Sequence, residues 1–299
     1  MWSKKYVGMI LLIALLPSPA LADSAGPGTQ ATNQGSVVNT RHNLTQSFTT
    51  LGGWMDTARN NYGEVCVYCH TPHASNRQIA APLWNRTIVP TSFTVYNTPT
   101  TLGRPITQPG VSSLVCLSCH DGVTAVDSVI NIPGSGRYNA SQETVVSQAF
   151  LSSWKLEGKP GPLSPGHAGI QTCTDRCHNS SIFSVRTNLQ FDVFVIGTDL
   201  MNDHPVGVQY PTSFGADVDF RAPTGELAGK MKFFDTNGNS RADVNEVRMY
   251  DSGEGYEVEC ASCHDPHGVP SAGPGSTFNP SFLRVSNTSS TLCLACHTK

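Results

Sequence analysis

Residues 66–70 read Cys66-Val67-Tyr68-Cys69-His70, and this pattern of two cysteines closed by a histidine occurs five times in the chain. The five copies use all ten cysteines. C-x-x-C-H is the attachment signature of c-type haem. Its two thiols bond the porphyrin vinyl groups, and its histidine binds the iron. The pattern predicts five covalently bound haem c, attached by Cys66, Cys69, Cys116, Cys119, Cys173, Cys177, Cys260, Cys263, Cys293 and Cys296, with His70, His120, His178, His264 and His297 as iron ligands.

The third copy, from Cys173 to His178, has one more residue between its cysteines than the other four. Two other interpretations fit this segment: a local disulfide, which an oxidising compartment would permit, or a Cys/Cys/His corner of a zinc site. A zinc site needs a further ligand, and no unclaimed cysteine remains. A disulfide would leave His178 without a role. We therefore expect a haem at this copy as well.

Five further histidines match the five predicted irons in number: His42, His73, His167, His204 and His267. This match predicts two histidine ligands for every iron and no open coordination position. Methionine is the competing axial ligand and raises the reduction potential. Apolar packing explains the methionines outside the first 22 residues, which are Met55, Met201, Met231 and Met249.

Two of these histidines follow a motif histidine by three residues, His73 after His70 and His267 after His264. Residues three apart on a helical turn lie on the same face. The two ligands of one iron approach it from opposite faces of the porphyrin. We therefore expect His73 and His267 each to bind the haem of another motif, which would bring neighbouring haems close together.

The first 22 residues have the three parts of a secretory signal. Lys4 and Lys5 precede an apolar run over residues 6–16, and residues 20–22 offer an A-x-A cleavage site. The apolar run is shorter than the ~20 residues that a membrane span needs. We expect residues 1–22 to be removed and residues 23–299 to form a single pentahaem domain. Its expected location is extracellular or at the cell surface, with the periplasm as the alternative.

The composition describes an irregular chain of low charge. Only 14% of the residues are charged and the net charge is −3, so the chain lacks the basic surface that nucleic-acid binding requires. Turn-forming glycine and proline clusters separate short apolar segments, without sustained helical or strand periodicity. We expect a multihaem cytochrome c fold, mostly irregular, with few short helices at the motifs and minor β structure such as a strand over residues 191–196. Haems would fill its core.

Residues 235–246 match an EF-hand-type calcium loop. Ser240 stands at the sixth position, where glycine is usual, and such polar segments also form ordinary turns. Both interpretations remain open. In the calcium interpretation the ion would fix the approach to the fourth motif, with oxygen ligands from Asp235, Asn237, Asn239, Arg241 through its backbone carbonyl, Asp243 and Glu246.

Several segments in their order along the chain carry a likeness to a known family: residues 41–44, 66–73, 82–85, 116–122, 202–206, 234–239, 260–268, 282–284 and 293–297. In this order they resemble the extracellular multihaem cytochromes of the outer-membrane cytochrome (Omc) type, which include tetrahaem members that polymerise into conductive filaments. The resemblance implies bis-histidine haems and, in a filament, one iron ligated by a histidine of the neighbouring subunit. The third motif departs from the tetrahaem pattern as an inserted fifth haem, with His167 as its companion ligand.

Three classes of function follow from these observations. The first is a polymeric or cell-surface electron conduit, and the second is a monomeric periplasmic or secreted electron shuttle. The third is a multihaem reductase, which needs an iron with an open position. The match of five further histidines to five irons argues against an enzyme. For the conduit, we expect the polar segment around His42 to be an arm whose histidine ligates a neighbouring subunit's haem; its partners would be copies of itself, other cytochromes or extracellular acceptors.

Overall fold

The computed structural model describes residues 32–45, 60–88, 92–96, 106–121, 124, 128–134, 136–137, 196–201, 204–215 and 218–298. Four of the five cysteine motifs lie in these ranges. Three predicted features lie outside these ranges: the leader, most of the strand expected at residues 191–196, and the third motif with its companion ligand. The third motif and its companion comprise Cys173, Cys177, His178 and His167.

Helical structure in the described ranges is short and coincides with the motifs. The α-helices are α1 Val111–His120, α2 Cys260–Cys263 and α3 Thr291–Cys296. The 3-10 helices are Val37–Asn39, Val65–Tyr68, Pro280–Phe282 and Thr288–Ser290, and the second of them carries the first motif. None of the helices in the described ranges is long and apolar enough to cross a membrane.

A small antiparallel sheet lies between the second and fourth motifs along the chain. Its strands are β1 Val208–Gln209, β2 Gly225–Leu227, β3 Met231–Phe233, β4 Arg248–Asp251 and β5 Tyr256–Val258, in the spatial order β1-β5-β4-β3-β2. Residues 235–246 connect β3 to β4, and β5 leads directly into α2. The sheet therefore delivers the fourth motif next to the β3–β4 loop.

Within the described ranges, part of the apolar burial is gathered in three small clusters, and each cluster adjoins a motif. One contains Tyr210, Phe234, Val247 and Met249 and packs against Cys296; the second contains Tyr62, Val67 and Tyr68; the third contains Phe93, Leu117 and Leu200. The expectation of few helices and minor antiparallel β structure is confirmed for the described ranges. The haem-filled core stays a prediction, and small clusters gathered at the motifs are compatible with it.

The N-terminal segment 32–45 packs on the C-terminal part of its own chain. The backbone amide of Phe278 donates to the carbonyl oxygen of Asn33 at 2.7 Å, and Gln34 forms an isolated β-bridge with Thr277. Composition did not predict these contacts, because the segment is polar and they are made by its backbone. They bring His42 to the fourth motif.

Candidate functional site

The first and fourth motifs build the same local structure. We call residues 66–85 the first module and residues 260–284 the fourth module. Nδ1 of His70 lies 2.9 Å from the carbonyl oxygen of Pro82, and Nδ1 of His264 lies 2.7 Å from the carbonyl oxygen of Ser281. A carbonyl oxygen only accepts hydrogen bonds, so Nδ1 carries the proton in each ring. The lone pair that can bind a metal is then on Nε2.

Each module has a return segment, residues 82–85 or 281–284, whose backbone pairs with the residue after the motif histidine. The amide of Thr71 donates to the carbonyl oxygen of Leu83 at 2.8 Å, and the amide of Asp265 donates to that of Phe282 at 2.8 Å. Leu83 and Phe282 have φ angles of 51° and 58°, in the left-handed region that bulky residues rarely adopt. Both modules thus use the same uncommon turn to hold the motif histidine.

The side chain two residues after the left-handed residue makes the same hydrogen bond to the motif in both modules. Nδ2 of Asn85 donates to the carbonyl oxygen of Val67 at 2.7 Å, and Nε of Arg284 donates to that of Ala261 at 2.9 Å. Val67 and Ala261 occupy the same position within their motifs. The modules are therefore structural repeats that differ in the chemistry of the supporting side chains.

The three-residue spacing after the motif histidine predicts a helical turn, and this prediction is wrong. Helix α2 ends at Cys263, and His264 has extended backbone with φ −112° and ψ 147°. His70 likewise forms an isolated β-bridge with Trp84. The backbone leaves the helix because its next amide pairs with the return segment, as Asp265 does.

Two pairs of histidine rings face each other across the motifs. The ring centres of His70 and His267 are 6.3 Å apart, with an angle of 9° between the planes. The ring centres of His42 and His120 are 6.2 Å apart, with an angle of 76°. In each pair, one ring belongs to a motif and the other is one of the additional histidines.

These separations fit two imidazoles that share one metal ion. A metal–imidazole nitrogen bond is about 2 Å long, and the ring centre lies about 1 Å beyond the nitrogen, so the two centres are about 6 Å apart. Either angle between the planes is acceptable, because each ring can rotate about its metal bond. The described residues therefore fit axial ligation of an iron by His70 with His267 and by His120 with His42.

His42 is held in a neutral, ligand-competent state inside its own chain. Its ring stacks on Phe282 with centres 4.2 Å apart, and its Nδ1 lies 2.9 Å from the carbonyl oxygen of Pro266. Burial lowers the pKa of His42 to about 4, and the charges of His120 and His267 lower it further. The described contacts of His42 are intrachain, and its ligation of a neighbouring subunit's haem stays a prediction.

The fifth motif has its own candidate partner. Burial lowers the pKa of His297, and the charge of His204 lowers it further, which places these two histidines near each other. The His297 ring also lies 4.8 Å from the ring of Phe220. Nδ1 of His204 lies 3.0 Å from the carbonyl oxygen of Pro205, so this residue has the same tautomer as the motif histidines.

Thiols of different motifs lie within electrostatic range of one another. Burial raises the pKa of Cys69 to about 12, and the sulfur of Cys119 in the second motif adds to this rise. No disulfide joins the eight cysteines of the described ranges. The electrostatic influence across motifs links Cys69 with Cys119, Cys116 with Cys260, and Cys263 with Cys293.

A buried carboxylate joins the second and fourth motifs. Oε1 of Glu259 accepts from the amide of Gly110, the N-cap of α1, at 2.9 Å, and its Oε2 accepts from the Ser113 hydroxyl. The Ser113 hydroxyl in turn accepts from the amide of Cys260 at 2.8 Å. Burial raises the pKa of Glu259 to about 7. This contact, which we call the Glu259 clasp, fixes α1 against α2.

A second buried carboxylate supports a distal histidine. Oδ1 of Asp265 accepts from Nδ1 of His267 at 3.0 Å and from its backbone amide at 3.1 Å. Oδ2 accepts from Nη1 of Arg284 at 3.0 Å. Burial favours a raised pKa, but the hydrogen bond from His267 and the charge of Arg284 outweigh it and hold the pKa of Asp265 at about 2. Sequence reasoning missed this group, although Asp265 stands directly between the motif and His267.

The β3–β4 loop organises its side chains around Asp235. The two carboxylate oxygens of Asp235 accept from the backbone amides of Asn237, Gly238, Asn239 and Ser240 at 2.6–3.3 Å. Ser240 has a φ of 58°, the left-handed conformation that glycine normally supplies at this position.

The far end of the same loop is directed inward. Glu246 is fully buried, and its Oε1 accepts from the amide of Thr236 at 2.7 Å. The side-chain amides of Asn237 and Asn239 donate through Nδ2 to Oδ2 of Asp243 at 2.8 and 2.7 Å. Within the described ranges, His, Cys, Asp and Glu side chains form no group of three or more suited to a metal ion, so the loop has the turn geometry but lacks a ready ligand cluster.

Comparison with known families gives one match, over residues 254–299, to the family described as the doubled CXXCH motif. These residues include strand β5, helices α2 and α3, and the fourth and fifth motifs. No curated protein matches the chain. Together with the motifs, the match supports haem c attached covalently at CXXCH segments and haem-based electron transfer. The chain thus has the features of a multihaem c-type cytochrome.

Proposed function

We propose that this protein transfers electrons through five c-type haems, each ligated by two histidines. The observation that carries the proposal is the pair of ring separations, 6.3 Å for His70 and His267 and 6.2 Å for His120 and His42. In each pair, a motif histidine meets a histidine from a distant part of the chain. Such pairs would give each iron two histidine ligands, which favours electron transfer over catalysis at an open iron.

We propose two ligand pairs from the ring separations, one from the electrostatic effect of His204 on His297, and one from the repetition of the two modules. His70 pairs with His267, His120 with His42, and His297 with His204. His70 of the first module pairs with His267 of the fourth module. Because the two modules repeat one structure, we expect the reverse pair as well, His264 of the fourth module with His73 of the first. The third motif, assigned from the sequence, takes His178 with His167.

The protein's own residues supply position and electrostatics. Haem c, when bound, supplies the one-electron redox chemistry of its iron. The cysteines anchor each porphyrin edge, and the carbonyl oxygens of Pro82, Ser281 and Pro266 orient the imidazoles by hydrogen bonds to Nδ1. Such outer hydrogen bonds fix the tautomer and the ring orientation of histidine ligands. Ligation across motifs keeps neighbouring sites close, as rapid electron hopping requires.

The haem count is tested by mass spectrometry and by one cysteine variant. The purified protein should carry five haems, and Cys177→Ser should carry four. A wild-type mass with four haems, leaving Cys173 and Cys177 as thiols or as a disulfide, would contradict the count.

The ligand pairs are tested by replacing a distal histidine. His42→Ala should keep all five haems and convert one of them to a high-spin or water-ligated form, visible in the optical and electron paramagnetic resonance spectra. The low-spin signal that disappears should come from ligand planes that are nearly perpendicular, because that pair is 76° apart. Loss of a nearly parallel signal would refute the pairing.

We also propose that the protein acts outside the cytoplasm, as a subunit of a cytochrome filament; the alternative is a monomeric shuttle. The N-terminal signal pattern and the resemblance to Omc-type cytochromes support this proposal. Because the contacts of His42 within the chain support its pairing with His120, we expect His42→Ala to leave long assemblies intact in electron micrographs. Dissociation of filaments by this variant would restore the arm hypothesis, and a wild type that stays monomeric at high concentration would favour the shuttle.

Calcium binding by residues 235–246 is a further part of the proposal. The loop holds its amides around Asp235 and has a left-handed residue at its sixth position, as an EF-hand-type turn requires. Calcium should raise the melting temperature of the wild type and leave that of Asp243→Ala unchanged, with haem attachment intact in both. An equal melting temperature of the wild type with calcium and with chelator would remove the site.

A further inference from the structure

The partner of Nδ1 distinguishes His267 from four other candidate ligands. Nδ1 of His42, His70, His204 and His264 bonds a backbone carbonyl oxygen. Nδ1 of His267 bonds the carboxylate of Asp265 at 3.0 Å. A hydrogen bond to an ionised group is roughly twice as strong as one between neutral groups, and it leaves more electron density on the imidazole.

The carboxylate is built into the fold and is not an exposed side chain that meets the ring by chance. Asp265 is 8% exposed and Arg284 is 4% exposed. Nη1 of Arg284 holds Oδ2 at 3.0 Å, while the backbone amide of His267 holds Oδ1 at 3.1 Å. The second oxygen is thereby occupied, and the first is aimed at the imidazole.

We propose that Asp265 lowers the reduction potential of the haem attached to Cys66 and Cys69 below the potentials of its neighbours. The proposal rests on the ligation of that iron by His70 and His267. A carboxylate that accepts the outer hydrogen of a ligating imidazole makes the imidazole a stronger donor. A stronger donor stabilises the ferric state relative to the ferrous state, because the ferric iron carries the larger positive charge.

The first module provides the internal contrast. At the position of Asp265 it has Thr71, whose hydroxyl donates to the carbonyl oxygen of His73 at 3.0 Å. A threonine hydroxyl brings no charge to the histidine beside it. The haem that His267 would ligate therefore has a carboxylate beside its ligand. The corresponding histidine of the first module, His73, has Thr71 at that position instead. Two repeated modules thus produce two different potentials.

The test is a redox titration of the holoprotein carrying Asp265→Asn, which keeps the size and an acceptor oxygen but removes the negative charge. One haem should shift upward by at least tenfold in its reduction equilibrium, or about 59 mV for a one-electron couple. All five haems should stay attached and low-spin. Glu226→Gln is the matched control, since that carboxylate bonds Tyr256 and Lys232; its titration should equal that of the wild type.

A second measurement does not depend on the folding of Asp265→Asn. The variant Cys66→Ser/Cys69→Ser should lose one haem, and the lowest midpoint potential of the wild type should be missing from its titration. Persistence of that potential, or an unchanged titration of Asp265→Asn with five low-spin haems, overturns the proposal for Asp265. Loss of histidine ligation in the wild type, seen as a high-spin spectrum, would instead overturn the proposed function.

Discussion

The first and fourth modules share a backbone and differ in what supports it. Both close the motif histidine with the same hydrogen bonds and the same left-handed turn residue. The first module uses the neutral pair Thr71 and Asn85, whereas the fourth uses the charged pair Asp265 and Arg284. In both, the second member of the pair donates to the carbonyl oxygen of the second motif residue.

This difference teaches that the charged pair is not required for the local structure. Taking two charges out of water is expensive, and their attraction often only offsets that cost. The first module reaches the same geometry without it. The charge of Asp265 is therefore better explained by its contact with His267 than by stability.

The largest expected effect comes from breaking the charged pair. Arg284→Ala leaves the carboxylate of Asp265 buried without its cation, and removal of one partner from a buried pair costs about 3–5 kcal/mol. Asn85→Ala, at the corresponding position of the first module, leaves only neutral groups unpaired and should cost about 1–3 kcal/mol. Denaturant unfolding of the holoprotein measures both values. Equal losses would show that the two modules depend on their supporting pairs to the same extent.

The helix caps of the two modules give the next contrast, through pH. Burial raises the pKa of Glu259 from 4.5 to about 7, so the folded state binds a proton that the unfolded chain releases at a lower pH. The contribution of Glu259 to the free energy of unfolding is largest below pH 4.5, falls as the pH rises toward 7, and then levels off. The loss should be about 3 kcal/mol at most, measured as the free energy of unfolding across this range.

Two variants isolate the contribution of Glu259. Glu259→Gln is neutral at every pH and should flatten the profile between pH 4.5 and 7. Glu64 occupies the N-cap of the first module but is exposed and makes no side-chain capping bond, so Glu64→Gln should keep the wild-type slope. A slope that survives in Glu259→Gln would assign the titration to another group.

The smallest expected effect concerns the neutral support of the first module. Thr71→Val keeps the shape of the side chain and removes the hydrogen bond from its hydroxyl to the carbonyl oxygen of His73. A bond of this kind contributes about 1 kcal/mol. Thermal unfolding should show this loss with unchanged haem potentials. A shift in a haem potential would mean that Thr71, like Asp265, acts on a ligand.

Local chemistry is the part of this protein that the sequence predicted well. Two cysteines with two residues between them, followed directly by a histidine, are the attachment signature of haem c, and all of these groups lie within five consecutive residues. The match to the doubled CXXCH motif over residues 254–299 agrees with this prediction. The helical turn expected from His264 to His267 does not form, because the amide of Asp265 pairs with the carbonyl oxygen of Phe282, 17 residues later in the chain.

Ligand pairing could not be predicted in the same way, since it depends on contacts between distant segments. His70 and His267 have no sequence relation that identifies them as partners, and neither do His42 and His120. Their rings meet because the N-terminal segment packs along residues 266–282 and because the Glu259 clasp joins α1 to α2.

The sequence by itself determined the cofactor class, the number of predicted attachment sites and a supply of histidines that matches the irons. Tertiary structure decided which of the described rings lie together and that the carboxylate of Asp265 bonds His267. The physical reason is range. Thioether attachment depends on neighbours in the chain, whereas axial pairing and potential depend on the packing and charge of groups that folding brings together.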